Sequence, residues 1–200
     1  MKVSRQKMAE HRDRIIEVAA KRFREKGFDG ISVADLMKEA GLTHGGFYGH
    51  FSSKEELIAL ASQRALRDTA ETWDKVIEDA PESPLKALVK YYLSSRHLSH
   101  PETGCLFASL GSEIARQPGS VKETLAEPQL AVLDVVSHAV PGKTKAARKK
   151  QAITVLAGLI GGMVLARSVS DQALSEEILR TVSASVASSL DGESIRATRA

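Results

Sequence analysis

The residues with the clearest chemical potential lie close together, between positions 43 and 54. They offer hydroxyl groups from Thr43 and Tyr48, imidazole rings from His44 and His50, and an ammonium group from Lys54. All of these groups can donate hydrogen bonds, and phosphate oxygens are acceptors that such donors contact. The composition of this segment therefore predicts contact with a polyanion.

Three glycines lie among these donors, at Gly45, Gly46 and Gly49. Each glycine costs a helix about 1 kcal/mol relative to alanine, so another property must account for them. Gly45 and Gly49 are four residues apart on one face, where they allow a phosphate or a thymine methyl group to approach the backbone. Phe47 and Phe51, also four apart, are predicted to form the buried side.

Two short helices are predicted to position these groups. Ser32 is a good N-cap for the first helix, which ends near Ala40, and the second helix covers 44–50. A tight turn at 41–43, beginning with a glycine, joins them. This arrangement is typical of a helix-turn-helix, whose second helix enters the major groove of DNA.

The order of residues along the second helix predicts a division of contacts. Thr43 and His44 lie at its start and are expected to point at base edges, whereas Tyr48 and His50 are expected to donate to phosphates. Lys54 lies at the start of the following helix, where its ammonium group and the free backbone N–H groups can both bind a phosphate.

Positive charge is concentrated in the same part of the chain. Residues 1–54 hold 11 Lys and Arg against 7 Asp and Glu, whereas the remaining residues hold 17 against 18, within a total net charge of +3. This asymmetry is a weak indication of a polyanion partner for the first quarter of the chain.

The bulk composition is typical of a soluble protein. The chain has 200 residues, of which 42% are apolar, enough for a packed core. Its single cysteine, Cys105, excludes a disulfide within the chain and favours a reducing cytoplasm. No signal peptide is expected in the charged first ten residues, and the apolar stretch 153–166 is too short to span a bilayer.

Hydrophobic periodicity predicts helices almost throughout, without β alternation. A first helix covers 4–26 and ends at Gly27, and a long helix starts at Lys54 and runs to about Asp79. Further helices are predicted at 84–98, 105–117, 119–139, 144–168 and 175–190. The expected fold is all-α with about nine helices, divided into a three-helix helix-turn-helix domain at 1–54 and a second helical domain at 55–200.

Residues 10–60 resemble the N-terminal DNA-binding domain of the TetR family of repressors. The matching features are Ile15-Ile16, Ala19, Phe23 and Lys26-Gly27-Phe28, then Ser32-Val33-Ala34-Asp35-Leu36 and Ala40-Gly41-Leu42-Thr43, then Gly45-Gly46-Phe47-Tyr48-Gly49-His50-Phe51 and Ser53-Lys54-Glu55-Glu56-Leu57. The resemblance implies a cytoplasmic homodimer, not an enzyme, that regulates transcription. Such a protein is expected to repress from a palindromic double-stranded operator until a small-molecule inducer releases it.

The resemblance also implies a set of DNA-binding residues. It implies that phosphates are contacted by Tyr48, His50 and Lys54, and that bases are contacted by Thr43, His44 and Gly45. Ser32 belongs to the same set of DNA-binding residues. Gly49 departs from the family pattern, because many members carry a larger residue there. The contact set is therefore expected to be smaller than usual.

The last two long helices are assigned to dimerisation by the same resemblance. The first contains small residues that permit close helix approach, and the second has apolar residues four positions apart. The predicted interface comprises Ala157, Gly158, Gly161, Ile178, Val182 and Val186. Packing within one chain produces the same periodicity and is the alternative.

An apolar pocket for the inducer is expected among the other helices of the second domain. Its candidate residues are Trp73, Tyr91, Tyr92, Cys105, Phe107, Leu110, Ile114, Met163 and Arg167. Ordinary core packing is the alternative for each. For Arg167, a salt bridge or exposure to solvent is favoured over contact with an anionic ligand. No cofactor and no metal is predicted.

Cys105 has more than one interpretation. A thiolate at a helix start could sense oxidants or electrophiles, whereas a small buried apolar residue is the alternative. A pair with His97 or His138 could form a nucleophile, but nothing in the sequence orients either histidine. A helical adaptor that does not bind DNA is another class, and it leaves the glycine-rich aromatic helix unexplained.

Overall fold

The computed structural model describes residues 4–197, with side chains described for residues 4–188. This range contains nine α-helices and two short 3₁₀ helices, and no β-strand. The α-helices are α1 (Arg5–Lys26), α2 (Val33–Glu39), α3 (Lys54–Glu78), α4 (Pro84–Tyr92), α5 (Ser95–Ser99), α6 (Leu106–Ala115), α7 (Gly119–Ala139), α8 (Lys145–Ser168) and α9 (Gln172–Ala197). The 3₁₀ helices are His44–Gly49 and Pro101–Thr103. The prediction of an all-α fold with about nine helices is confirmed.

The described residues divide into two compact units. The first unit comprises residues 4–67 and 101–128, and the second comprises 68–100 and 129–197. The helix-turn-helix segment thus shares a unit with α6 and the start of α7, which follow much later in the sequence. The sequence-based boundary between residues 54 and 55 stays a prediction.

The core of the first unit is built on α1. Ile15, Ala19 and Phe23 recur on one face of this helix and are at most 1% exposed. Gly27 ends the helix with a φ of 81°, a left-handed conformation that glycine adopts without steric cost. The 3₁₀ helix Pro101–Thr103 and α6 both pack on α1.

The second unit is organised around the α8–α9 pair. Gly162 is buried on α8, and a Cβ added there would lie 2.9 Å from Cγ1 of Val182 on α9. The missing side chain therefore lets the two helices approach closely. Beside their connection, the Ser175 hydroxyl donates a hydrogen bond to the carbonyl of Ala166 at 2.8 Å.

The predicted helix 84–98 is wrong, because the chain forms two helices there. Leu93 and Ser94 separate α4 from α5. The Ser94 hydroxyl donates to the Tyr91 carbonyl at 2.8 Å and accepts from the His97 amide at 3.3 Å. Serine side chains that bond to nearby backbone groups in this way compete with a continuous helix.

The predicted bounds of the last helix are also wrong. α9 begins at Gln172 instead of residue 175 and extends past residue 190. The early start follows from Asp171, whose Oδ1 accepts hydrogen bonds from the amides of Ala173 at 2.8 Å and Leu174 at 3.3 Å. Asp171 thereby satisfies backbone donors that the first turn of a helix leaves free.

α8 is long and apolar enough to cross a membrane by length and composition, although the sequence-based apolar stretch was shorter. In its most apolar 18-residue window, 33% of the residues are buried inside the structure. Core helices of soluble proteins have the same length and composition, so this helix is weak support for a membrane protein.

We predict that Gly162→Ala destabilises the protein, although alanine has a higher helix propensity than glycine. The added methyl group would meet Val182, whose β-branched side chain is stiff, and such overpacking costs about 1–3 kcal/mol. The gain in helix propensity offsets at most about 1 kcal/mol of this cost. Urea denaturation of the wild type and the variant measures the difference.

The matched control is Gly111→Ala in α6. An added Cβ there lies 3.9 Å from the Phe107 side chain, which is an ordinary contact. The control should therefore raise the free energy of unfolding. If Gly162→Ala were as stable as the control, the close approach of α8 and α9 would not be constraining.

Candidate nucleic-acid interface

Local hydrogen bonds define the start of the helix-turn-helix. The Ser32 hydroxyl accepts from the amide of Asp35 at 3.1 Å, as predicted for an N-cap, and it also lies 2.6 Å from Oδ2 of Asp35. At the other end of α2, Gly41 has a φ of 74°, and the amide of Leu42 donates to the carbonyl of Met37 at 2.8 Å. The turn therefore reverses the chain where the sequence places the glycine.

The second helix of the motif, predicted as a short helix over 44–50, is a 3₁₀ helix that covers His44–Gly49. The amide of Gly46 donates to the carbonyl of Thr43, and that of His50 donates to Phe47, both across three residues. The physical reason is the high glycine content, which removes the preference for a longer α-helix.

The buried side of this 3₁₀ helix was predicted correctly. Phe47 is 1% exposed and Phe51 is 2% exposed, with their ring centroids 5.4 Å apart. The Phe47 ring also packs edge-to-face on the Tyr48 ring, at a centroid distance of 5.3 Å. Apolar contacts of these rings fix which side of the segment faces outward.

Arg12 holds the end of the 3₁₀ helix, a role that the sequence analysis missed. Its guanidinium donates to the carbonyl of His50 and, at 2.8 Å, to Oε1 of Glu56, and it lies 4.4 Å from the centre of the Phe51 ring. The available signal was the position of Arg12 three residues before the buried Ile15, on the same face of α1. A cation there requires partners.

Glu56 links this contact to the next loop. Its Oε2 accepts hydrogen bonds from the amide and the hydroxyl of Ser52, both at 2.7 Å. The hydrogen bond from Arg12, together with those from Ser52, lowers the pKa of Glu56 to about 2. The carboxylate is therefore ionised at neutral pH, and it joins α1, α3 and the segment between them.

The outward side of the 3₁₀ helix is open. Tyr48 is 74% exposed, and Thr43 and His44 are exposed as well. Around both Gly45 and Gly49, an added Cβ would meet nothing within 4 Å. Neither glycine is thus required by packing inside the chain, and the surface beside Tyr48 is free for a partner to approach closely.

Two predicted phosphate ligands lie in less open surroundings. The Lys54 ammonium donates to the carbonyl of Ile31 at 3.2 Å and lies 3.8 Å from the Asp29 carboxylate. His50 is half-buried, and burial, followed by the nearby His11 and Arg12, lowers its pKa. Both side chains lie at the edge of the exposed surface.

The predicted inducer residues fall in both units. The first unit contains Cys105, Leu110 and Ile114, all buried, and the half-buried Phe107; the second contains buried Trp73, Tyr92 and Met163, half-buried Arg167 and exposed Tyr91. Within the second unit, Trp73 packs edge-to-face on Tyr92 at a centroid distance of 5.5 Å.

Arg167 lines a groove of about 640 Å³ in the second unit, beside α5 and the start of α9. Its guanidinium donates to the carbonyl of His97 and lies 3.4 Å from that of Leu98. These carbonyls lie near the end of α5, so Arg167 acts there as a C-terminal cap. His97 in turn bonds through Nδ1 to the Tyr92 carbonyl at 2.7 Å.

The predicted dimer residues differ in accessibility. Ala157 is exposed, and Gly161 has nothing within 4 Å of an added Cβ. In contrast, Val186 is buried and lies 3.4 Å from the Cβ position of Gly158, within the same chain. Val182, which packs on α8, and Ile178 are half-buried.

An apolar stripe runs along the accessible face of α8. Ile153 is 51% exposed and Leu165 is 57% exposed, and together with Ala157 and Gly161 they recur every four residues. Residues with this spacing lie on one face of a helix. Ile153 and Leu165 were not among the predicted interface residues.

The helix-turn-helix segment matches a known family. Residues 15–61 match the bacterial regulatory proteins of the tetR family. The HTH-type transcriptional repressor DhaR from Mycobacterium sp. (strain GP1) is 29% identical over 104 residues, which are 52% of this chain and 52% of that protein. The repressor KstR2 from Mycolicibacterium smegmatis is 32% identical over 91 residues, 44% of this chain and 42% of that protein. The chain thus spans about half the length of the curated relatives it matches.

Solved structures extend the likeness over most of the chain. The reduced form of E. coli NemR has a TM-score of 0.72 and 19% identity, and the match covers 88% of this chain and 96% of that chain. A TetR-family transcriptional regulator from Agrobacterium tumefaciens has a TM-score of 0.70 and 20% identity, over 88% of this chain and 97% of that chain. At these identities, the likeness shows the fold.

We predict that acid weakens the first unit through Glu56. Its pKa is lowered from 4.5 to about 2 in the folded chain, so the ionised form stabilises the fold. This contribution is complete above pH 4.5 and is lost as the pH falls from there towards 2. Glu56→Gln should lower the free energy of unfolding at pH 7 by about 1 kcal/mol, because solvent screens a pair that is one-third exposed.

Denaturation at a series of pH values between 7 and 3 measures this difference. The stability gap between wild type and Glu56→Gln should narrow below pH 4.5. Glu71→Gln is the control, because Glu71 is an exposed carboxylate on the same helix, and this variant should follow the wild type. A gap that stays constant with pH would show that the charge of Glu56 is not what stabilises the loop.

Proposed function

We propose that the chain, whose residues 15–61 match the bacterial regulatory proteins of the tetR family, is a sequence-specific DNA-binding regulator of transcription. It acts as a cytoplasmic homodimer on a palindromic double-stranded operator and represses until a small-molecule inducer releases it. The names of DhaR and KstR2 as repressors support the sign of regulation.

The observation that carries this proposal is the outward side of the 3₁₀ helix. An exposed tyrosine lies beside two glycines whose Cβ positions are open, and the helix is held from behind by two buried phenylalanines and Arg12. A surface without side-chain bulk allows the backbone to approach the floor or wall of a groove. The alternative, a helical adaptor that does not bind DNA, does not explain this combination of residues.

The side chains divide into readers of bases and binders of phosphates. Thr43 and His44, with Gly45 beside them, lie at the start of the helix and contact base edges, whereas Tyr48 donates to a phosphate. Lys54 and His50 add phosphate contacts from the edge of the surface. For Lys54 this requires exchange of the Ile31 carbonyl for a phosphate oxygen, which a charge-assisted bond favours. Ser32 caps α2 and so positions the motif.

Dimerisation follows from the limited number of contacts that one such helix makes. Two copies read two half-sites whose centres are about 34–36 Å apart. The stripe of Ile153, Ala157, Gly161 and Leu165 on α8 supplies an apolar surface for the partner, with Ile178 and Val182 of α9 nearby in the same helix pair.

The test of the proposed function is selection of bound duplexes from a random DNA pool at two salt concentrations. The expected product is a palindrome, bound with an affinity that falls steeply with salt because phosphate contacts release counterions. Ligand-free refolded protein is used, so that a bound inducer does not mask binding. If this protein enriched no sequence, the proposed function would be wrong.

We predict that the residues of the 3₁₀ helix separate into two classes of mutant. Tyr48→Phe should weaken binding several-fold and alike for all duplexes of a panel, because a phosphate contact carries no sequence information. Thr43→Ala and His44→Ala should change the base preference. At single positions of the half-site, the difference in binding free energy between bases should change by about 1–3 kcal/mol. Fluorescence anisotropy with the selected duplex and its point variants measures both. A selective change of preference in Tyr48→Phe would contradict the assignment.

We also predict that Leu165→Glu dissociates the dimer without unfolding the chain. The side chain is 57% exposed in a single chain, so the charge is solvated in the monomer, but it would be buried without a partner in the interface. Analytical ultracentrifugation should show a dimer for the wild type and monomer for the variant. Ala126→Glu, at an exposed position of α7, should remain dimeric. A dimeric Leu165→Glu would place the interface elsewhere.

A further inference from the structure

A hydrogen bond within the first unit joins two segments that are 85 residues apart in the sequence. Oε2 of Glu113 on α6 accepts from the amide of Phe28 at 2.7 Å. Phe28 is 1% exposed and follows Gly27 directly after α1. The carboxylate of Glu113 is thus attached to the connection between α1 and α2, where the helix-turn-helix begins.

Gly27 leaves room for this contact. A Cβ at Gly27 would lie 3.0 Å from Oε1 of Glu113 and 3.4 Å from Oε2. Its φ of 81° already favours glycine, and the missing side chain leaves room for the carboxylate against the backbone. The carboxylate therefore sits in a fitted position, which a side chain shorter by one methylene group does not reach.

The helix that carries this carboxylate, α6, also carries buried apolar residues. Leu110 and Ile114 lie three residues before and one residue after Glu113 and are buried. Both were predicted from the sequence to face the inducer. The same ten-residue helix packs on α1. A displacement of α6 would therefore act on the α1–α2 connection through the hydrogen bond of Glu113.

We propose that Glu113 is a positioning residue for DNA binding, whose hydrogen bond to the Phe28 amide makes operator affinity depend on the position of α6. The inference rests on the proposed function and assigns part of its regulation to one side chain. Operator affinity scales with the fraction of molecules that have the competent arrangement of the helix-turn-helix. The bond at Phe28 raises this fraction in the ligand-free chain, and a shift of α6 lowers it.

The test compares two substitutions that separate the reach of the side chain from its charge. Glu113→Asp keeps the charge and loses the reach, whereas Glu113→Gln loses the charge and keeps an oxygen that accepts from the Phe28 amide. Dissociation constants for the duplex selected above are measured by fluorescence anisotropy with the full-length dimer. Glu123→Asp, an exposed carboxylate on α7, is the matched control.

The expected result is a Glu113→Asp affinity about tenfold weaker than that of the wild type, which corresponds to about 1.4 kcal/mol. Glu113→Gln should stay within about threefold, and Glu123→Asp should be unchanged. Circular dichroism at the assay temperature shows whether each variant is folded. Equal affinities of Glu113→Asp and wild type, or equal losses in the aspartate and glutamine variants, would overturn the proposal.

A second measurement needs no variant. Because coupling is reciprocal, binding of the duplex should slow hydrogen exchange of the Phe28 amide in the wild type. Unchanged exchange at Phe28 in the complex would also overturn the proposal, even if Glu113→Asp proved to be unfolded. Failure of the proposed function is seen separately, because the wild type would then bind no selected duplex.

Discussion

The 3₁₀ helix that we propose to face DNA has little helical stability of its own and depends on the residues that pack against its inner side. The 3₁₀ helix His44–Gly49 contains three glycines in six residues, which removes most of its intrinsic preference for a helical conformation. Phe47 and Phe51 bury one side of the segment, and the guanidinium of Arg12 holds its last carbonyl. Stability and recognition are thus assigned to different residues. The inward side chains fix the backbone, which leaves the outward ones available for the proposed contact with DNA.

Electrostatic contacts within the first unit also stabilise the fold through residues other than those proposed to contact DNA. Arg12, Glu56 and Ser52 satisfy one another between α1 and α3, so a charged pair stands behind the interface without adding to its surface. Lys54 is intermediate, because its ammonium bonds to the Ile31 carbonyl and still lies at the edge of the exposed side. A cation held in this way has to give up the Ile31 carbonyl when it binds a phosphate, so the net gain is the difference between a neutral and a charged acceptor.

Sequence periodicity predicted what local rules control and missed what distant residues control. The buried faces of α1 and of the 3₁₀ helix follow from apolar residues three and four positions apart, and the turn at Gly41 follows from glycine chemistry. The break between α4 and α5 depends on the hydrogen bonds of the Ser94 side chain. From the sequence, a serine indicates only a general tendency to form such bonds. The partners of Arg12 and Glu113 could not be predicted, because they lie 38 and 85 residues away in the sequence. Sequence periodicity also could not distinguish the exposed residues of α8 from its buried ones, because their burial depends on where α9 packs.

The open space beside Gly45 and Gly49 has a thermodynamic consequence. Alanine at either position would find no steric obstacle within the chain, and on helix propensity it would stabilise the isolated protein. Retaining glycine therefore keeps the free protein less stable than its fold allows. A partner that occupies this open space removes surface from water, and where that surface is apolar a negative heat-capacity change is the calorimetric signature of its burial.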